Sequence, residues 1–175
     1  MICEKYYRHR VKDYLTYKFI KCEKCYACRM NKAMEWTLRI HWEDKLHHFR
    51  QFVTLTYSPD KVHWRVSKHD GVKRKNGNYK DGTQFINSVR KAMKRDGHPD
   101  KIRYYMIMEY GKKRTRHPHF HVILWGCPYH QNRLQRIWNK GLVHVGKIEP
   151  ASINYVSGYT WKRQDAYVNK HGLTT

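Results

Sequence analysis

The nonapeptide "HPHFHVILW", His117 to Trp125, sets an imidazole at every second position and then turns apolar. A period of two is the side-chain period of a β-strand, where positions i and i+2 share a face. Read as a strand, it projects His119 and His121 to one side and Phe120, Val122 and Leu124 to the other. Two imidazoles converging from one strand can chelate a metal. The competing reading is a pair of polar histidines on a solvated face. His117 precedes Pro118, which cannot donate to a ladder, so it marks the strand's ragged start.

The segment before it, "KIRYYMIMEYG" (residues 101–111), is a second strand, joined to the first by the basic turn "KKRTRHP". Its Glu109 closes an aromatic and apolar run in a chain with 14 Asp+Glu against 36 Lys+Arg. Glu109 shares a face with Tyr105 and Ile107, and across a hairpin it can lie beside the two histidines. A His-His-carboxylate set leaves coordination positions open. With phosphate as substrate, Mg²⁺ or Mn²⁺ is the expected ion. Otherwise Glu109 is a strand-end acid that neutralises the turn.

Working further outward, "FRQFVTLTYSPD" alternates Phe52, Thr54 and Thr56 against Val53, Leu55 and Tyr57, a third strand stopped by Ser-Pro-Asp. "SKHDGVKRKNGNYKDGT" reads as a loop. Thr83 is placed to cap a helix over "QFINSVRKAMKRDG", ended by Gly97. A short helix over "YHQNRLQRIWNKG" ends at Gly141, and "LVHVGKIEP" is a fourth strand. Ser152 then caps a last helix, "INYVSGYTWKRQDAYV". Strands joined in this order favour an α+β domain with a mostly antiparallel central sheet and packed helices. The boundary falls near Arg50, between residues 1–49, a Cys-bearing N-terminal segment with a helix, and a core over residues 50–175.

Three of five cysteines lie in "CEKCYACR": Cys22, Cys25 and Cys28. With Cys3 as the fourth ligand they form a candidate structural Zn²⁺ site; the alternative is a set of reduced thiols. The following "RMNKAMEWTLRIHWED" has helical spacing, with Met30 and Met34 read as packing. In the last helix Tyr155 and Tyr159 are four residues apart and Lys162 three further, on one face.

A formal net charge of +22 calls for a polyanion, and nucleic acid is the expected partner class. The basic residues are dispersed and no amphipathic basic helix stands out, which argues against a membrane surface. No apolar run approaches the length of a membrane span, and the N-terminus lacks a signal-peptide pattern. A soluble, intracellular protein is expected.

Taken in order, "FVTLTY", "HFH" and "YVSGYTWK" resemble the three motifs of the HUH endonucleases that initiate rolling-circle replication. The initiators of gokushovirus-like single-stranded DNA phages are the most similar group. To that group belong an early cysteine, a Cys-x-x-Cys-x-x-Cys-Arg run before a Trp-containing helix, and a "GEYG…RPHYH" region. Here these correspond to Cys3, Cys22 to Arg29, Trp36, "MEYG" and "HPHFH". The resemblance implies a ferredoxin-like nickase core, with His119, His121 and Glu109 as ligands of Mg²⁺ or Mn²⁺. It also implies Tyr155 and Tyr159 as nucleophiles, with Lys162 beside them and Tyr159 making the first cut. A tyrosine would nick single-stranded origin DNA, with or without a hairpin, stay on the 5′ phosphate and later rejoin the ends. No nucleotide cofactor is implied, and no Gly-x-x-x-x-Gly-Lys motif is present, so host helicase and polymerase would act in the cytoplasm of a bacterial host. Histidine replaces the group's usual arginine at His117, leaving phosphate contact or a spare ligand as its role. Two rival readings are a non-catalytic, zinc-stabilised nucleic-acid-binding protein and a metallohydrolase that uses water.

Overall fold

The computed structural model describes residues 2–10, 17–99, 101–111, 116–158 and 166–174. A short antiparallel hairpin, β1 (Tyr7–Arg10) and β2 (Tyr17–Ile20), leads to α1 (Tyr26–Lys45) and then β3 (Arg50–Thr56). A second small hairpin, β4 (His63–Val66) and β5 (Lys73–Asn76), precedes α2 (Tyr79–Arg95). There follow β6 (Arg103–Tyr110), β7 (Pro118–Trp125), α3 (Gln131–Trp138), β8 (Val143–Gly146), α4 (Pro150–Gly158) and α5 (Ala166–His171). The central sheet has the order β6-β7-β3-β8, and every pairing in it is antiparallel. This is the α+β architecture expected from the sequence.

The sheet divides the molecule because each strand alternates faces. Val53, Leu55, Phe120, Val122 and Leu124 point to one side and pack with Phe85, Ile86 and Val89 of α2 and Leu134 and Trp138 of α3. Each such side chain withdrawn from water contributes about 1.5–3 kcal/mol. On the other side Ile107, Ile123 and Trp125 pack with Ile40 of α1 and Ile153 and Val156 of α4. The functional side chains share this second face.

Several local expectations are corrected. The glycine-rich stretch after Ser67 contains β5 and the first turn of α2, which Asn78, not Thr83, caps through a bond from the Lys80 amide. Gly82 sits inside that helix because a Cβ there would come 2.6 Å from Met106 Sδ; its absence lets α2 press against the sheet. Asn139, in the left-handed region at φ 42, ends α3 ahead of Gly141. Pro150, not Ser152, opens α4, in keeping with proline's fitness for a first helical turn. Met34 is 57% exposed, so it is not packing. The inward face of α1 is instead Ala33, Thr37 and Ile40, whose small members allow Thr37 Oγ1 to meet Ser157 Oγ of α4 at 2.7 Å. Among the described residues no helix is long and apolar enough to cross a membrane.

Candidate functional site

Strand register builds the site. Glu109 stands directly across from His119, and Ile107 across from His121. On the other flank of β7, His119 pairs with Thr56 and His121 with Thr54. Both histidines and Glu109 are mostly buried, with 12–16% of each side chain exposed. Glu109 Oε1 lies 2.8 Å from His119 Nε2 and 3.5 Å from His121 Nε2.

Each imidazole is anchored through its other nitrogen. His119 Nδ1 lies 3.1 Å from the His117 carbonyl, and His121 Nδ1 lies 3.1 Å from Thr54 Oγ1. A carbonyl only accepts, so His119 Nδ1 carries a proton and directs Nε2 inward. Such outer partners fix ring orientation and ligand basicity. Phe52 stacks on the His121 ring at 5.5 Å, and the His119 and His121 rings meet edge-on at 4.9 Å.

Tyr155 completes the cluster from α4. Its hydroxyl donates to both Glu109 oxygens at 2.9 Å, while the residue stays 41% exposed to solvent. Burial alone would raise the Glu109 pKa, but hydrogen bonds from His119, His121 and Tyr155 outweigh it and hold the carboxyl well below its ordinary range. Burial lowers the His119 pKa, yet the Glu109 carboxylate more than reverses this and raises it. Burial and then Glu109 push the Tyr155 phenol well above its usual value.

The three donor atoms of Glu109, His119 and His121 lie within 4.8 Å of one another, close enough to hold one ion. Two imidazoles and a carboxylate suit a divalent cation with open positions. His117 is directed elsewhere, its Nε2 lying 2.8 Å from the Tyr57 carbonyl. Tyr159 and Lys162 lie outside the described residues, as does most of the basic turn before His117. Thr54 is a member of the site that sequence reasoning does not single out. The one signal for it is a polar residue at every second position on the Phe52–Thr56 face of β3, beside the histidine strand.

A second cluster joins Cys3, Cys22, Cys25 and Cys28, whose ligand atoms also lie within 4.8 Å. Sγ separations are 3.6 Å for Cys3–Cys22, 4.0 Å for Cys22–Cys28 and 4.0 Å for Cys3–Cys25. A tetrahedron with Zn–S bonds of about 2.3 Å has sulfur–sulfur edges of about 3.8 Å, so the cluster has zinc-site dimensions. Backbone amides of Cys22, Cys25 and Cys28 point at neighbouring sulfurs. Backbone hydrogen bonds lower the Cys25 thiol to about 6, and burial pushes Cys28 up to about 12. The Cys25 side chain also caps α1, so the cluster and that helix form one unit.

The model of the replication-associated protein ORF2 family matches residues 50–164. The replication-associated protein ORF2 of Spiroplasma virus 4 is 32% identical over 169 residues, covering 87% of this chain and 51% of the relative. The replication-associated protein VP4 of Bdellovibrio phage phiMH2K is 26% identical over 161 residues, covering 81% and 48%. The chain thus spans about half the length of these relatives. No solved structure matches it significantly.

Proposed function

The chain belongs to the replication-associated protein ORF2 family, and on that premise we propose that it initiates rolling-circle replication as an HUH-type nickase. The observation that carries this reading is the convergence of Glu109, His119 and His121 beside the Tyr155 hydroxyl. The substrate is single-stranded DNA at an origin, hairpin or not, held by the excess of basic charge.

Glu109, His119 and His121 would hold a Mg²⁺ or Mn²⁺ ion, which neutralises charge on the scissile phosphate when bound. Tyr155 and Tyr159 supply the nucleophilic hydroxyls. A tyrosine oxygen bonds to phosphorus, the P–O3′ bond breaks, and the departing 3′ oxygen takes up a proton. The products are a 5′-phosphotyrosine and a free 3′ hydroxyl that a host polymerase can extend while a host helicase unwinds the duplex. Reversal by the new 3′ end rejoins the strand, and the energy of the broken bond is kept in the tyrosyl ester. Tyr159 makes the first cut, because Lys162 follows three residues later and stabilises the developing charge. His117, bonded to the Tyr57 carbonyl, orders the start of the histidine strand. The cysteine cluster holds Zn²⁺ and fixes the start of α1. Since both relatives come from viruses of bacteria, the site of action is the host cytoplasm.

The test is adduct formation on a labelled single-stranded origin oligonucleotide with Mn²⁺. We expect a DNA–protein band that survives denaturation. Tyr159→Phe loses most of it, Tyr155→Phe less, and the double variant all of it. An undiminished adduct in the double variant would remove this helix as the nucleophile carrier. Cleavage without any adduct would favour a water-using metallohydrolase, and binding without cleavage a zinc-stabilised binding protein.

A further inference from the structure

A groove of about 1190 Å³ wraps the free edge of β6, between α1 and Arg90 of α2. It lies at the opposite end of β6 from Glu109. Three aromatic rings line it, and each has a cation beside it. Arg39 Cζ lies 5.3 Å from the Trp36 ring, Lys45 Nζ, at the rim, 4.9 Å from Trp42, and Arg90 Cζ 5.5 Å from Tyr104. Trp42 is 66% exposed and Tyr104 37%, so neither ring is a core element. Lys101 and Arg103 add charge to the lining. Glu43 is the one carboxylate there among the described residues, and it is engaged by Arg103 at 2.7 Å and His47 at 2.6 Å.

We propose that this groove is a stacking track for single-stranded DNA, holding the strand several nucleotides away from the scissile phosphate. The claim rests on the nickase reading for its choice of strand. A protein partner would want a core depleted of charge. Here rings and guanidinium or ammonium groups alternate, which is the composition of single-strand grooves: flat platforms for bases, cations for phosphates. The position fits as well. At about 3.3 Å per residue, Tyr105, whose ring meets Trp36 at 5.2 Å, is about 13 Å from Glu109 along β6, and Arg103 about 20 Å. Binding sites of about 4–16 nucleotides reach that far. β6 is an edge strand, so the DNA passes along its open side without displacing the helices that cover Ile107.

Fluorescence anisotropy with labelled oligothymidylates of stepped length tests this. Trp42→Ala combined with Lys101→Glu weakens binding of strands of about 20 nucleotides by about tenfold or more, and leaves strands of about 6 nucleotides nearly unaffected. Trp42→Tyr, which keeps a ring, binds the long strand close to wild type. Photocrosslinking of wild-type protein to halogenated oligonucleotides places the attachment on α1 or β6. Unchanged long-strand binding by the folded double variant, or crosslinks confined to other elements, overturns the proposal. Adduct formation on a minimal origin oligonucleotide is read in parallel. If wild type forms none, the nickase reading falls, while the length-dependent binding still decides the groove.

Discussion

Replacing Thr54 by valine removes one oxygen from behind His121 and changes little else. The hydroxyl lies 3.1 Å from His121 Nδ1. Valine keeps the branched shape and suits a central strand, so the backbone of β3 has no reason to move. The lost hydrogen bond costs about 0.5–1.5 kcal/mol of stability, and an Nδ1–H left without an acceptor raises that toward about 3 kcal/mol. The larger effect falls on the metal. Without its anchor the ring of His121 loses both its fixed tautomer and its orientation, and outer-partner losses of this kind weaken metal binding by about 10–100-fold. His119 offers a built-in contrast, because its anchor is the His117 backbone carbonyl and survives any side-chain change. The assay is a Mn²⁺ titration of adduct formation, with the melting temperature measured on the same samples. The Mn²⁺ midpoint should rise by one to two orders of magnitude, saturating metal should restore most activity, and Thr54→Ser should return the midpoint toward wild type. A folded Thr54→Val protein with an unshifted midpoint would refute the idea that this hydroxyl orients the ligand.

His119→Ala or His121→Ala should abolish cleavage and leave DNA affinity largely intact, since binding rests on dispersed charge; equal loss of both in a salt-dependent binding assay would count against the assignment. Glu109→Ala should be partly rescued by high metal. Chelation of a preparation made without added divalent ions should release near-stoichiometric zinc and loosen the segment before residue 50, as followed by limited proteolysis; finding no bound metal would leave the cysteines as reduced thiols. The acid limb of stability should report Asp81, which burial would raise but which His63, Tyr57 and Lys140 hold below its ordinary value. A depressed carboxylate stabilises above its unfolded pKa, about 3.9, and that contribution disappears as pH falls through the lower folded value. Asp81→Asn should therefore cost about 1.5–3 kcal/mol at pH 7 in urea unfolding and less at about pH 3.

The parts of the fold legible in the sequence are those set by local periodicity. Strands β3, β6, β7 and β8 read from alternation, and the shared face of His119 and His121 follows from the same rule. Glu109 is legible because a hairpin brings its two strands together whatever their exact register. The four-residue strands of the small hairpins are not, since their pairing depends on distant clasps. β5 is the polar "KRKN", and Asn76 at its end is held by Thr174, while Ser67 beside β4 meets His171 at 2.9 Å. Asp81 and Gly82 look like a turn until Met106 and Phe120 are seen to occupy the space a side chain would need. Thr54 takes its role from a cross-strand partner 67 positions away, and spacing along one strand carries no trace of that.

The alternation of β7 also fixes what a faulty molecule can be. A one-residue slip of β7 against β3 would turn Phe120, Val122 and Leu124 outward and drive His119 and His121 into the apolar layer. Re-exposing three such side chains forfeits about 5–9 kcal/mol, comparable with the whole stability of a domain this size. A misassembled yet stable isomer is thus closed to this chain. Folded molecules and ligand-competent molecules are one population, so the fraction that titrates with metal should equal the fraction that melts cooperatively. Any shortfall in active protein then points to chemical damage, such as oxidised thiols, rather than to a hidden conformer.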